Sequence, residues 1–437
     1  TYTGNAMRQV VHPSYQAWSY AMLINDYNAS VQGGMISIFP CAYLHNYRRD
    51  KPDPIDAAQY ETYLEDAPAF TRGEVAKLRA FIKKSIRTGD NRELIYKIDS
   101  GRIRPSKSLQ DSIAKMLQGN REFIMLDEQK VVYEEILDAA RLSAKDSKKR
   151  VIIVKGGPGT GKSVVAVNLL AQLTREDQFC QYVSKNSAPR NVYLKKLKGS
   201  IRKSSVDNMF KGSGSYTETE NNMIDTILAD EAHRLNEKSG MFHNMGENQI
   251  KEIIHAAKCS VFFIDESQRV TLQDIGSVGE IKKWAAQEGA CVTEIELVSQ
   301  FRCNGSDGYL AWLDNTLEIR ETANYDMEDI DFDIRIFDSP EKMQELIIER
   351  NNTSHNRARI LAGYCWDWLK EGVNNPSVHD IKIGDFEISW NLKNTTTFAI
   401  DEDSIHEAGC IHTSQGLEFD YVGVIIGDDM RYENGKI

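Results

Sequence analysis

A glycine-rich run that ends in a lysine and a serine is the clearest chemical signal in this sequence of 437 residues. It matches the spacing GxxxxGK[ST] and consists of Gly156, Gly157, Pro158, Gly159, Thr160, Gly161, Lys162 and Ser163. Such glycines let backbone N–H groups turn toward a β-phosphate, while the lysine reaches the β and γ oxygens and the serine hydroxyl binds Mg²⁺. The alternative is a glycine-rich turn that binds nothing. The complete motif in a strand–loop–helix context favours a site for ATP and Mg²⁺.

Two acidic residues after the apolar residues 227–229 could complete this chemistry. Asp230 would hold Mg²⁺, and Glu231 would orient or deprotonate the attacking water. Another apolar run, residues 261–264, is followed by Gln268, whose amide could sense the γ-phosphate. Both have structural alternatives, because an acidic pair at a strand end commonly caps a helix and Gln268 could be a surface amide after a capping Asp265.

These residues need a scaffold that brings strand ends together. Apolar runs recur at residues 151–154, 227–229, 261–264, 360–362 and 421–426, each with polar or charged residues at its C-terminal edge. Helical spacing separates them, as in residues 164–173. The pattern predicts an α/β fold with doubly wound parallel sheets and ligands at the carboxyl ends of the strands.

Composition excludes several classes of protein. The chain has 53 Lys and Arg against 64 Asp and Glu, a net charge of −11, and 41% hydrophobic residues. This apolar content excludes global disorder, and the length indicates two or three domains. The seven cysteines are scattered, so neither a disulfide framework nor a zinc site is indicated. Taken alone, the acidic balance argues against nucleic acid as a partner.

The ends of the chain and its hydropathy give further expectations. No run approaches the length needed to cross a bilayer, and the N-terminus lacks the features of a signal peptide. We therefore expect no membrane association and a cytoplasmic location. The chain begins without Met and stops soon after a strand-like run, so we expect an internal portion of a longer protein.

Several blocks in one order resemble the motifs of superfamily 1 helicases. The sequence is similar to the Q motif at residues 126–129, to motif I at 156–163, to motif Ia at 184–190, to motif II at 230–233, to motif III at 265–268, to motif IV at 300–302 and to motif V at 412–420. More narrowly, residues 74–437 resemble the uncharacterised bacterial group with a Schlafen group 3-like DNA/RNA helicase domain. Residues 301–306 and 411–420 make that match specific.

The resemblance implies roles for individual residues. Gln129 would read adenine, Lys162 and Arg302 would act on the phosphates in catalysis, and Gly416 and Glu418 would approach the nucleotide. His412, Ser414 and Gln415 would approach a nucleic-acid strand. The family pattern continues into a motif VI arginine that is absent here, and we expect hydrolysis to be crippled without it.

The resemblance also implies a domain order. Residues 1–48 are similar to the tail of a RecB-type nuclease without its catalytic core, because Gln16 and Tyr20 have that signature's spacing; alternatively, the two merely share a helix face. Residues 49–124 would be a linker and helical connector. Two RecA-like P-loop lobes would follow, an ATP-binding lobe at 125–320 and a second, incomplete lobe at 330–437.

A basic cluster lies between motifs I and II. One acid, Asp207, accompanies eight basic residues: Lys185, Arg190, Lys195, Lys196, Lys198, Arg202, Lys203 and Lys211. Such a cluster could meet phosphates in a salt-dependent way, or it could be a solvated helix face. Tyr182, Tyr193 and Phe210 could stack on bases or belong to the core.

The sequence therefore predicts an ATP hydrolase that moves on single-stranded nucleic acid, with DNA favoured over RNA. The competing hypothesis is a nucleotide-dependent switch or scaffold that acts through protein partners of unknown identity. The motif V resemblance and the basic cluster favour translocation. A small-molecule kinase is a third hypothesis, and the order of the motifs disfavours it.

Overall fold

A computed structural model describes most of the chain. The described residues are 2–3, 6–7, 10–32, 36–50, 52–90, 93–99, 101, 113, 115, 125, 127–198, 203–240, 244–269, 271–298, 307–327, 332–393, 395–434 and 436–437. The chain divides into two compact units, Thr1–Lys107 with Arg121–Glu135 and Ser108–Asn120 with Ile136–Ile437. Within the described residues, no helix has the length and apolar character to span a bilayer.

The strands of the described chain are short in the first unit and longer in the second. They are β1 Tyr2–Thr3, β2 Ala6–Met7, β3 Ala42–Leu44, β4 Ala69–Thr71, β5 Arg150–Gly156, β6 Cys180–Ser184, β7 Phe210–Lys211, β8 Ile224–Asp230, β9 Ala257–Ile264, β10 Cys291–Leu297, β11 Ala358–Ala362, β12 Ile381–Ile383, β13 Phe386–Trp390, β14 Glu407–Gly409 and β15 Tyr421–Ile425.

The α-helices vary from one turn to five. They are α1 Pro13–Tyr27, α2 Ala29–Gln32, α3 Glu61–Asp66, α4 Val75–Ser85, α5 Leu94–Asp99, α6 Asp127–Asp146, α7 Lys162–Arg175, α8 Ser187–Leu197, α9 Lys203–Met209, α10 Gln249–Ala256, α11 Val278–Gln287, α12 Asp307–Thr316, α13 Pro340–Thr353 and α14 Ile411–Ser414.

The first unit carries short elements. Helix α1 begins at Pro13, and the His12 side chain caps it by accepting the Ser14 N–H. Gln16 and Tyr20 lie one turn apart on α1, and the Gln16 amide donates to the Tyr20 hydroxyl over 3.2 Å. Strands β3 and β4 form a two-stranded parallel sheet.

A six-stranded parallel sheet positions the phosphate loop in the second unit. Its order is β10-β5-β9-β8-β6-β7, and all five strand pairs are parallel. Strand β5 lies between β10 and β9, and its residues 151–154 are fully or almost fully buried. Because parallel strands are covered by helices on both faces, such continuous apolar runs are typical of them. The predicted α/β fold with parallel sheets is confirmed.

A second sheet follows later in the chain. Its order is β12-β13-β14-β11-β15, in which only the β12–β13 pair is antiparallel. Its core includes Ile360, Trp390 and Ala408, with Met343 and Ile347 of α13 packed against one face. The predicted division into two RecA-like lobes, a connector and a nuclease-like segment stays a prediction.

Buried Arg359 organises the loop beside this second sheet. Its guanidinium donates to the carbonyl oxygens of Phe398, Ala399 and Asp401 over 2.9–3.1 Å. Burial lowers the pKa of Arg359 to about 10. These bonds fix the backbone of residues 398–401, part of a loop that contacts helix α8.

Candidate nucleotide site

The phosphate loop connects β5 to α7. Gly159 and Gly161 have φ angles of 78° and 86°, in the left-handed region that favours glycine. A Cβ at Gly156 would lie 2.6 Å from the Thr160 hydroxyl, so this position also requires glycine. The predicted loop therefore has the strand–loop–helix context that a phosphate cradle needs.

Lys162 closes the loop on itself. The residue is 7% exposed, and its Nζ donates to the carbonyl oxygens of Gly156 and Gly157 over 2.6 and 2.8 Å. The ammonium group is thus held over the loop at the N-terminus of α7. From this position, a short movement would exchange carbonyl partners for phosphate oxygens.

Ser163 and Asp230 meet at the end of the neighbouring strands. The Ser163 hydroxyl donates to Asp230 Oδ2 over 2.7 Å, and the Tyr182 hydroxyl donates to the same oxygen over 2.5 Å. Burial, followed by the charge of Glu231, raises the pKa of Asp230. Burial likewise raises the pKa of Tyr182 well above its ordinary value, which keeps the phenol a donor.

This donor set fits Mg²⁺. The ion prefers hard oxygen ligands and keeps several waters, so it is typically held by one or two protein groups together with phosphate oxygens. A hydroxyl and a carboxylate already placed within hydrogen-bond distance of one another provide such a pair. Ser163 and Asp230 would hold the ion, which would neutralise charge on the phosphates.

Glu231 occupies a strained turn beside Asp230. Its φ and ψ are 52° and 43°, a left-handed conformation that is uncommon for a residue with a side chain. Its carboxylate lies 3.1 Å from Nε2 of the fully buried His233, without the alignment of a hydrogen bond. The Asp265 N–H donates to His233 Nδ1 over 3.4 Å, which leaves Nε2 to carry the proton toward Glu231.

Gln268 lies at the end of the next strand. Asp265 caps the short turn Glu266–Gln268, and its other carboxylate oxygen accepts the Gln268 amide over 2.7 Å. Capping and amide placement therefore occur together, whereas the sequence offered them as alternatives. A cavity of about 380 Å³ includes Gln268, Ser414, Gln415 and Gly416 in its lining.

Arg234, which the sequence reasoning missed, joins the acidic turn to the motif V-like segment. Its Nη1 donates to Gln415 Oε1, and its Nε lies 3.0 Å from Asp274 Oδ2. Asp274 also accepts from Lys185 Nζ over 3.0 Å, and its side chain is fully buried. The sequence signal was only an arginine next to motif II, and its partners lie 40 and 181 residues away.

This network changes the environment of the predicted strand-binding residues. The Gln415 carbonyl accepts from the Asn186 amide over 3.1 Å. Burial lowers the pKa of Lys185. Desolvation, then the positive charges of Arg234 and Lys185, lowers the pKa of His412.

The basic cluster is not uniformly solvated, and the expectation that its cations all face water is wrong for Lys185 and Arg190. Arg190 donates to the Ser184 carbonyl oxygen over 2.9 Å, and burial lowers its pKa. Lys195 is exposed but pairs with Asp401. Lys196 and Lys198 are exposed, while Arg202 and the Lys203 side chain lie outside the described residues.

The three aromatic residues near the cluster belong to the core. Tyr182, Tyr193 and Phe210 are 1–3% exposed and pack on one another with ring centroids 5.6–6.0 Å apart. The interpretation of these residues as base-stacking groups is therefore wrong.

The remaining candidates are placed as follows. Gln129 is buried in the first turn of α6, and Glu418 is half-buried between α14 and β15. Gly416 has a φ of 82°, and a Cβ there would lie 2.9 Å from Pro189 Cγ. Arg302 lies outside the described residues, as does the whole motif IV-like segment. The roles of these residues stay predictions.

Comparison with known proteins defines the class. Residues 149–437 match the family described as Schlafen group 3, DNA/RNA helicase domain, and the chain belongs to this family. This confirms the family resemblance over the matched residues. The superfamily 1 assignment and the nuclease-like segment stay predictions.

Individual relatives are distant. The chain is 22% identical over 353 residues to the uncharacterized protein YPL245W of Saccharomyces cerevisiae, which covers 70% of this chain and 75% of that protein. A DNA replication initiation factor shares 16% identity at a TM-score of 0.25, covering 55% of this chain and 65% of that one. C. elegans PCH-2 shares 14% identity at a TM-score of 0.19, covering 53% and 59%. The chain thus spans less than two thirds of either solved structure.

Proposed function

We propose that this chain hydrolyses ATP and uses the hydrolysis to move on single-stranded nucleic acid, with DNA favoured over RNA. The observation that carries the hydrolysis is the joining of Ser163 to Asp230, with Lys162 on the phosphate loop and Glu231 beside the pair. Mg²⁺, when bound, would neutralise charge on the phosphates. Glu231 would orient the attacking water, and His233 would hold the Glu231 carboxylate in place.

The link from hydrolysis to movement would run through Arg234. Its guanidinium contacts Gln415 from a residue only three positions after Glu231. A nucleotide that shifts the acidic turn would therefore act on the segment expected to approach the strand. A ligand moves such an equilibrium only through contacts that differ between two states, and the Arg234–Gln415 hydrogen bond is a contact of this kind.

The switch hypothesis also has an observation in its favour. Lys185 and Gln415, two of the predicted strand contacts, are engaged within the protein by Asp274 and Arg234. A protein whose strand-binding groups stay internally paired could respond to nucleotide without holding a strand. Stimulation of turnover by a strand separates the two functions.

The test uses Glu231→Gln, with Glu237→Gln as a matched control because Glu237 is an exposed acid on the same segment. We expect Glu231→Gln to bind nucleotide and to lose turnover by a factor of about 10²–10⁴, whereas the control keeps parental turnover. Turnover is measured with and without oligothymidylate. If Glu231→Gln hydrolyses ATP like the parent, the assignment of the base is wrong. If ATP binds and is hydrolysed but no strand changes the rate, the switch is favoured.

A further inference from the structure

Helix α4, Val75–Ser85, carries an exposed cationic face in a chain with an excess of acid. Residues 75–87 contain Lys77, Arg79, Lys83, Lys84 and Arg87 and no acidic residue. All five cations are exposed. Lys77 pairs with Glu74 across the first turn of α4. Among the described residues, no carboxylate pairs with the other four.

The helix is attached to the first unit by one narrow side. Leu78 and Phe81 are half-buried, and the Phe81 ring lies 5.7 Å from that of Phe70 in β4. At 100° per residue, Arg79 and Lys83 lie on the side away from these two residues, with Lys84 on its flank. Exposed alanines 76 and 80 lie between the cations, so that a polyanion could approach the helix backbone.

We propose that α4 binds the phosphate backbone of a nucleic acid through Arg79, Lys83 and Lys84. This inference rests on the proposed function for its choice of polyanion. Arg79 and Lys83 lie about 6 Å apart along the helix axis, so flexible side chains can follow successive phosphates. Such binding is independent of base sequence and sensitive to salt.

Two structural explanations account for less of this surface. Cations in a last helical turn stabilise the helix dipole, which explains Lys83 and Lys84 but not Arg79 or the exposed Arg87 beyond the helix. A membrane-bound helix would present a broad apolar face opposite its cations. In α4, that side is used by Leu78 and Phe81 against β4, which favours a phosphate backbone over a bilayer.

The experiment measures binding of labelled oligothymidylate to the full chain by fluorescence anisotropy over a series of salt concentrations. The test variant is R79Q/K83Q/K84Q. The control variant, K251Q/K282Q/K283Q, removes the same charge from lysines that already pair with Glu247, Glu294 and Glu280. Circular dichroism checks that both variants are folded.

Polyelectrolyte theory gives the expected size of the effect. With a slope of about −0.7 per single-strand phosphate contact, three lost contacts weaken binding about 50-fold at about 0.15 M salt and flatten the slope of log K against log salt by about 2. The charge-preserving variant R79K/K83R/K84R should bind like the parent. The control should lose no more than about threefold, as expected for distant charges that are screened.

Several outcomes overturn the proposal. They are equal affinity of the parent and R79Q/K83Q/K84Q, an equal loss in the control variant, and binding of the parent to phosphatidylserine vesicles but not to the oligonucleotide. Turnover of ATP without any strand is measured in parallel and should not change in R79Q/K83Q/K84Q. Absent turnover in every variant would count against the proposed function, while a selective loss of oligonucleotide binding would still support the α4 surface.

Discussion

Replacing Asp274 by Asn tests the buried network around Arg234. The Asp274 carboxylate accepts from Lys185, lies 3.0 Å from Arg234 Nε and accepts the Thr271 N–H over 2.9 Å. Asn would keep one acceptor oxygen but would leave two cations without a counter-charge and turn an NH₂ group toward one of them. Breaking a buried ion pair from one side costs about 3–5 kcal/mol. Because the Lys185 side chain is still 25% exposed, we expect a loss of about 3 kcal/mol.

The control for this prediction is Asp225→Asn. Asp225 and Lys258 are 2.7 Å apart, a closer pair than Lys185 and Asp274, but both side chains are 24% exposed. Such pairs contribute about 0–1 kcal/mol. Urea denaturation of both variants gives the free energies of unfolding, and the double variant Lys185→Met/Asp274→Asn should recover part of the loss. Equal unfolding free energies for Asp274→Asn and Asp225→Asn would refute the argument from burial.

Two further predictions concern the metal site and the first unit. Tyr182→Phe removes the hydroxyl that holds Asp230 Oδ2, so the Mg²⁺ concentration for half-maximal binding of a fluorescent ADP analogue should rise about 10-fold; binding of the analogue without Mg²⁺ is the control. Hydrogen bonding from Lys77 and from the Thr71 N–H lowers the pKa of Glu74 to about 2, so Glu74 stabilises the fold fully above about pH 4.5 and loses this effect as the pH falls toward 2. Thermal melting should therefore show a constant gap between the parent and Glu74→Gln above pH 4.5, about the ordinary pKa of Glu, and a shrinking gap below it; a gap that widens on acidification would contradict this account.

The sequence predicted those parts of the fold that depend on local patterns. The phosphate loop could be found because its residue types are fixed by backbone geometry at Gly159 and Gly161. Strands β8 and β9 could be found because buried parallel strands are apolar throughout. Strand β10, the edge neighbour of β5, was missed because its residues alternate with exposed Glu294 and Glu296. Residues 36–39 were predicted as a β-rich run, but the strand lies at Ala42–Leu44.

Contacts between distant residues could not be predicted in this way. Lys185 looked like a solvated cation because its counter-charge, Asp274, lies 89 residues away and carries no motif of its own. Tyr182 looked like a base-stacking aromatic because its partner Asp230 is brought beside it by the pairing of β6 with β8. In both cases the sequence identified a chemically capable side chain, and the fold decided what that side chain contacts.

The same reasoning explains why an arginine suits position 234. Its guanidinium reaches Asp274 with Nε and Gln415 with Nη1, two partners in different directions. A lysine has one ammonium group on a flexible stem and cannot hold both partners in a fixed plane. Because Arg234 is 5% exposed, water cannot easily replace either partner if the acidic turn moves. A displacement of the Glu231–Arg234 turn must therefore carry Gln415 with it or break a buried contact, and either result transmits the state of the phosphate site to the segment Ile411–Ser414 and the residues that follow it.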